Sequence, residues 1–163
     1  MRESDDLRSP SSLNDFASAY LVRLKQSCDL YPLEKIELLG HALLDCWKTN
    51  KQVFIFGNGG SAGNAMHLAN DLLYGVAKRF GSGIRVTALP ANSSVVTCLA
   101  NDQGYDAIFS HQLGVLAQPG DLALALSGSG NSRNVVNALE HAKTAGLQSF
   151  AILGYSGGEC LSI

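Results

Sequence analysis

The chain has 163 residues, enough for one domain with a substantial core. Hydrophobic residues make up 46% and charged residues 16%, a globular balance that argues against intrinsic disorder. The net charge of −2 supplies no basic field for nucleic acid or an anionic membrane, so any anionic ligand must be held by local donors.

No apolar run approaches the roughly 18 residues that a membrane span needs. The polar, acidic N-terminus is not that of a signal peptide. The four cysteines, Cys28, Cys46, Cys98 and Cys160, lie far apart without CxxC spacing. They read as buried free thiols in a reducing compartment, and cytoplasmic location follows by elimination.

Residues 1–12 read as a flexible leader. From Leu13 to Ser27 the apolar residues Phe16, Ala19, Tyr20, Val22 and Leu24 recur at helical spacing. Pro32 opens a second helix, a favoured place for proline. That helix carries Ile36, Leu39, Leu43 and Trp47 on one face and ends near Asn50; Trp47 is expected in the core or at a subunit contact. Val53-Phe54-Ile55-Phe56 is a short apolar run stopped by Gly57, the pattern of a buried parallel strand. After Gly57-Asn58-Gly59-Gly60-Ser61 a helix is expected from about Ala62 to Tyr74. The Lys78-Arg79 pair is expected on a solvated loop.

A second strand, Arg85–Leu89, ends at Pro90, and helices are expected over Ser94–Ala100 and from Tyr105 through Leu116. Pro119-Gly120-Asp121 turns into a third strand, Leu122–Leu126, which Ser127-Gly128-Ser129-Gly130-Asn131-Ser132 ends. Val135–Ala145 is an amphipathic helix with Gly146 at its C-cap. Ser149–Leu153 is a fourth strand. His41, His111 and His141 fall on helices without partner spacing and read as structural or solvated. The alternation predicts an α/β fold: a doubly wound parallel sheet, flavodoxin-like in its layering, with helices on both faces and an N-terminal helical pair. Residues 13–163 are expected to form a single domain that stops just after its fourth strand, as a C-terminally truncated version of a longer one.

Two Gly/Ser-rich segments, Gly57–Ser61 and Ser127–Ser132, fall at the carboxyl ends of predicted strands, where such sheets bind ligands. A helix N-terminus offers unpaired N–H groups and partial positive charge. Glycines let backbone approach a phosphate and serines add donors without bulk. Ser127, Ser129 and Ser132, interleaved with Gly128 and Gly130, therefore read as a phosphate cradle that needs no lysine. Neither segment is a Walker loop or a dinucleotide fingerprint, since Gly-Lys-Ser/Thr is absent and no acidic residue closes the second strand; no nucleotide cofactor is expected. The bland alternative for each loop is a tight turn with a helix cap.

At these residues the chain resembles the SIS (sugar isomerase) domain family, in its phosphoheptose isomerase branch. The matching segments are Gly57–Ala62, Ala100-Asn101-Asp102, Pro119-Gly120-Asp121, Ser127–Ser132 and Gly154-Tyr155-Ser156-Gly157-Gly158. The resemblance implies an SIS-type domain over residues 13–163 that lacks its last strand and helix. It implies that Ser127, Ser129 and Ser132 hold a sugar phosphate, with Asn131 in the same loop. Asn58, Gly59, Gly60 and Ser61 would lie near the sugar, and Asn101 and Asp102 at the site edge. Family enzymes carry His-x-x-x-Glu after the first loop; here the pair is His67 and Asp71, whose i, i+4 spacing puts both on one helix face. Both are candidates for the catalytic base and, by resemblance, for zinc ligands. The family's later Gln-x-x-x-His-type segment has no counterpart before Ile163.

The activity so implied is aldose–ketose isomerisation of sedoheptulose 7-phosphate and D-glycero-D-manno-heptose 7-phosphate, a step of heptose supply for lipopolysaccharide or capsule, in a cytoplasmic homotetramer whose neighbouring subunits complete each site. The alternative is a non-catalytic SIS-domain sugar-phosphate-binding protein, including the type that associates with a replication initiator, which Asn131-Ser132-Arg133 and Gly154–Glu159 also resemble. A sugar-phosphate-sensing regulator is the third reading, but no DNA-binding segment is visible.

Overall fold

In the computed structural model the described residues are 12–29 and 32–163. Of the expected leader only Ser12 lies among them, and its Oγ accepts the Asp15 N–H at 3.1 Å, an N-cap. The described residues divide into two compact units, one ending at Glu37 and the other running over Leu38–Ile163. In the first, α1 (Leu13–Asp29) buries none of its residues. The helix α2 (Leu33–Thr49) begins there and continues into the second unit, where Ala42 and Cys46 are buried.

The second unit holds a sheet of four parallel strands: β1 (Gln52–Phe56), β2 (Arg85–Ala88), β3 (Leu122–Ser127) and β4 (Gln148–Leu153), in the order β2-β1-β3-β4. Val53 pairs with Val86 on one side and Leu122 on the other, so β1 is central. Its uninterrupted apolar run is explained by burial on both faces. Phe54, Phe56, Ala123 and Ala125 point to a core that includes Phe109, Leu113, Val135 and Leu139. Val53, Ile55, Leu122 and Leu124 point to the other face, against Cys46, Ala65, Leu39 and Leu43. Strand periodicity thus serves two helix layers, as the doubly wound expectation requires.

Asp121, 5% exposed, ties the amino ends of two strands together. Its Oδ1 accepts the Gln52 N–H at 2.9 Å and its Oδ2 the Gln118 N–H at 2.8 Å. The matched Pro-Gly-Asp segment is therefore explained by architecture, far along the strands from the Gly/Ser loops.

The helix after β1 is longer than its periodicity suggests. It runs as α3 (Gly60–Asn70), a π-helical turn (Asp71–Gly75) and α4 (Val76–Phe80). Widening at the turn leaves the Leu72 carbonyl for the Ile84 N–H at 3.0 Å, which leads the chain into β2. Lys78 and Arg79 consequently lie on α4, not on a loop, and Gly81, φ +84°, ends it. The remaining α-helices are α5 (Ser93–Asp102), α6 (Ser110–Leu116) and α7 (Arg133–Thr144); the helix expected from Tyr105 starts only at Ser110, after a 3-10 turn at Tyr105–Ala107. Trp47 donates from Nε1 to Ser82 Oγ at 3.2 Å and stacks at a tilt on Phe80. All four cysteines are free, but only Cys46 and Cys160 are buried; Cys28 and Cys98 are exposed, against the expectation for all four. Among the described residues no helix is long and apolar enough to cross a membrane.

Candidate functional site

The strand order places a topological switch between β1 and β3: the chain leaves β1 for one side of the sheet and returns to build the other. The Gly/Ser loops are the carboxyl-end loops of these two strands. The first lies against the end of β3, since a Cβ on Gly57 would run into the Leu126 carbonyl, and it is tight within itself, since the same Cβ would come within 2.8 Å of Ser61 Cβ. Gly59, φ +55°, is the N-cap of α3, and the Ser61 N–H returns to the Asn58 carbonyl at 2.9 Å.

In the second loop the serines divide their tasks. Ser127 is buried, and its Oγ accepts the Gly130 N–H at 3.0 Å. Exposed Ser129 accepts the Asn131 N–H at 3.2 Å. Ser132 occupies the N-cap of α7, yet its side chain makes no capping bond. Ser127 therefore shapes the loop, and Ser132 is the hydroxyl least committed to it.

A cleft of about 470 Å³ joins the loops. Ser61, His67, Ser127, Gly128 and Gly154 line it, with Leu126 as an apolar wall. No Lys or Arg is among its lining residues, nor are Ser129, Asn131 and Ser132 of the second loop, so the N-terminus of α3, which brings Ser61 to the cleft, is the helix end that offers an anion positive potential there.

His67 Nε2 lies 3.4 Å from Asp71 Oδ2, with both side chains largely exposed. The expected helical pair thus forms, but only His67 lines the cleft. Asp71, the first residue of the π-helical turn, also accepts from Asn70 Nδ2 at 3.3 Å. Among the described residues no group of three His, Cys, Asp or Glu side chains could hold a metal. A zinc site takes three or four protein ligands, and this pair supplies two. The described residues alone do not fit the metal.

Asn101 and Asp102 end α5 and engage each other at 2.7 Å; they do not line the cleft. The Cys98 thiol meets Asp102 Oδ2 at 3.5 Å. Hydrogen bonding to that carboxylate, then its charge, pushes the Cys98 thiol pKa up. Burial pushes up the Cys46 and Cys160 thiols.

Sequence reasoning assigned no ligand-site role to Asn134, Tyr105 or Glu159. Asn134 is 2% exposed and exchanges hydrogen bonds with Asn58. An asparagine just ahead of Val135, Val136 and Leu139 on a core-facing helix was the available signal. Glu159 pairs with Arg133 at 2.8 Å, and its N–H donates to Asn131 Oδ1 at 2.9 Å. Asn131 thereby anchors its own loop to the segment after β4.

A doubly wound parallel sheet with two Gly/Ser loops at its switch point defines an α/β domain with a ligand crevice at the carboxyl ends of its strands. A model of the SIS domain family matches residues 19–154. A probable phosphoheptose isomerase from Thermoplasma volcanium is 37% identical over 86% of this chain and 70% of its own length. The phosphoheptose isomerase of Akkermansia muciniphila is 40% identical over 76% of this chain and 65% of its own length. The solved phosphoheptose isomerase of Neisseria gonorrhoeae superposes with a TM-score of 0.83 at 29% identity, over 93% of this chain and 80% of that one. The chain belongs to the SIS domain family, in its phosphoheptose isomerase branch. It spans about two thirds of the length of the two curated relatives, 70% and 65%.

Proposed function

We propose that this chain is a sugar-phosphate isomerase domain that interconverts sedoheptulose 7-phosphate and D-glycero-D-manno-heptose 7-phosphate. The observation that carries the reading is the convergence of Ser61, Ser127 and His67 on one cleft at the switch point, in a chain whose relatives are named phosphoheptose isomerases. The phosphate would lie between the N-termini of α3 and α7, bound by Ser61, Ser129 and Ser132 with Ser127, Gly128 and Asn131 shaping the loop. Gly59 and Gly60 admit it to the backbone, and Asn101 and Asp102 keep an edge role.

Moving a proton between C1 and C2 through an enediol needs a base within hydrogen-bond reach and a held phosphate. His67 is that base, and Asp71 facing its Nε2 orients the imidazole, leaving Nδ1 for the proton. Zinc would need at least one further ligand beyond His67 and Asp71, and no step is assigned to it. The proposed setting is cytoplasmic. The proposed assembly is a homotetramer through the N-terminal helices, supported by exposed Phe16, Tyr20, Leu21 and Leu24 on α1. Light scattering at micromolar concentration tests it, a monomer refuting it.

The deciding assay is turnover of sedoheptulose 7-phosphate by the chain and by His67→Ala, beside calorimetric binding of the same sugar. Turnover lost in the variant with binding retained supports the isomerase. Binding without turnover in both favours the non-catalytic sugar-phosphate-binding protein, a reading supported by Asp71 standing where family enzymes have glutamate and by the Arg133–Glu159 clasp at the loop.

A further inference from the structure

Asn134 is the second residue of α7 and lies 2% exposed beside Val135 and Val136. A buried amide is costly unless paired. Its partner is Asn58, in the loop after β1. Asn58 Nδ2 donates to Asn134 Oδ1 at 2.8 Å, and Asn134 Nδ2 donates to Asn58 Oδ1 at 2.9 Å. A third group joins them: the Tyr105 hydroxyl donates to Asn58 Oδ1 at 3.0 Å. Tyr105 is 55% exposed, so the core does not account for the placement of its hydroxyl, 47 residues along the chain from Asn58.

An asparagine side chain has two donor hydrogens and two acceptor lone pairs. Both lone pairs of Asn58 Oδ1 are taken, by Asn134 and by Tyr105. One Nδ2 hydrogen is taken by Asn134. What remains is one N–H. We infer that Asn134 and Tyr105 are positioning residues that lock the Asn58 amide, so that this side chain presents a single hydrogen-bond donor and no acceptor to the ligand. The atom that Asn58 meets is then an acceptor oxygen, of a phosphate or of a carbonyl or enediolate. The same bonds fix the spacing of the two loops, because Asn58 belongs to one and Asn134 lies two residues past the other, on the helix it opens. A two-donor, one-oxygen lock of this kind prevents the amide from turning its oxygen toward an anion, which would repel it.

The inference rests on the reading of Asn58 as a ligand-facing residue, and its test separates the two. In the ligand-free full chain, the two Asn58 side-chain amide protons should exchange at different rates by NMR, one protected by Asn134 and one open. Equal, solvent-like rates overturn the lock. Tyr105→Phe removes one donor without touching the core, so its melting temperature should match that of the parent. Its affinity for sedoheptulose 7-phosphate should fall about three- to tenfold, the size of one lost hydrogen bond. Unchanged affinity overturns the positioning role. If the parent chain binds neither sedoheptulose 7-phosphate nor inorganic phosphate, the proposed function falls, and the amide exchange still decides the lock.

Discussion

Asn131 Oδ1 accepts the backbone N–H of Glu159 at 2.9 Å, and this bond joins the loop after β3 to the segment after β4. The Cys160 N–H adds a second tie, to the Gly130 carbonyl at 3.0 Å. The contact is close enough to demand glycine on both sides: a Cβ on Gly130 would meet the Gly157 carbonyl, and one on Gly154 would come 2.6 Å from the Gly128 carbonyl. The Gly154–Gly158 segment is therefore a brace for the loop after β3.

The brace makes Gly130→Ala costly. Its φ of +67° strains alanine, and the Gly157 backbone cannot move aside as a flexible side chain could. The expected loss is about 2–3 kcal/mol, or roughly 5–10 °C in Tm. Gly81→Ala is the control, with φ +84° and nothing within 4 Å of the added methyl. It should lose about 1 kcal/mol. Equal losses in thermal melts would show that steric contact with the brace contributes nothing.

The three loop serines should separate by assay. Ser129→Ala and Ser132→Ala should weaken sugar-phosphate binding by about 1.5–3 kcal/mol each while leaving the unphosphorylated sugar nearly unaffected. Ser127→Ala orphans the buried Gly130 N–H and should cost stability, about 1–3 kcal/mol. Calorimetry with both sugars, beside melting curves, reads the difference. Equal losses for the two sugars would sink the cradle.

His67 and Asp71 are exposed, and an exposed pair of this kind contributes about 0–1 kcal/mol to stability. His67→Ala should therefore melt like the parent and yet lower turnover about 10²–10⁴-fold. Asp71→Asn should reduce turnover less if aspartate only orients the imidazole. A larger effect at Asp71 than at His67 would reverse their assigned roles.

The Cys98 thiol is held above its ordinary pKa by Asp102. A raised pKa means less thiolate at any pH below it, so alkylation of Cys98 should be slow around pH 8. Asp102→Asn removes the hydrogen-bonded carboxylate and its charge. The pH profile of iodoacetamide labelling at Cys98 should then shift to lower pH, with a faster rate at pH 8. An unshifted profile means that the Cys98–Asp102 contact does not form in solution.

The sequence alone determined the parallel sheet, its helix layers and the two loops. Runs such as Val53–Phe56 and Leu122–Leu126 allow little but strands buried on both faces, and glycine followed by serine at their ends marks a tight turn into a helix. Those signals are local, carried by periodicity and backbone permission. The i, i+4 pair of His67 and Asp71 was legible for the same reason. Tertiary structure decided the rest. The strand order, set by nonlocal pairing, brought the loops of β1 and β3 together and left Asn101-Asp102 outside the cleft. The π-helical turn at Asp71–Gly75 depends on the Ile84 N–H that reaches the Leu72 carbonyl from the next segment. Ser127 and Ser132 look alike in the chain, but one is buried to hold a backbone N–H and the other is left open at a helix start. Asn58, Asn134 and Tyr105 meet across 76 residues of chain, from Asn58 to Asn134, and hydrogen-bond pairing over that distance leaves no periodic trace in a sequence.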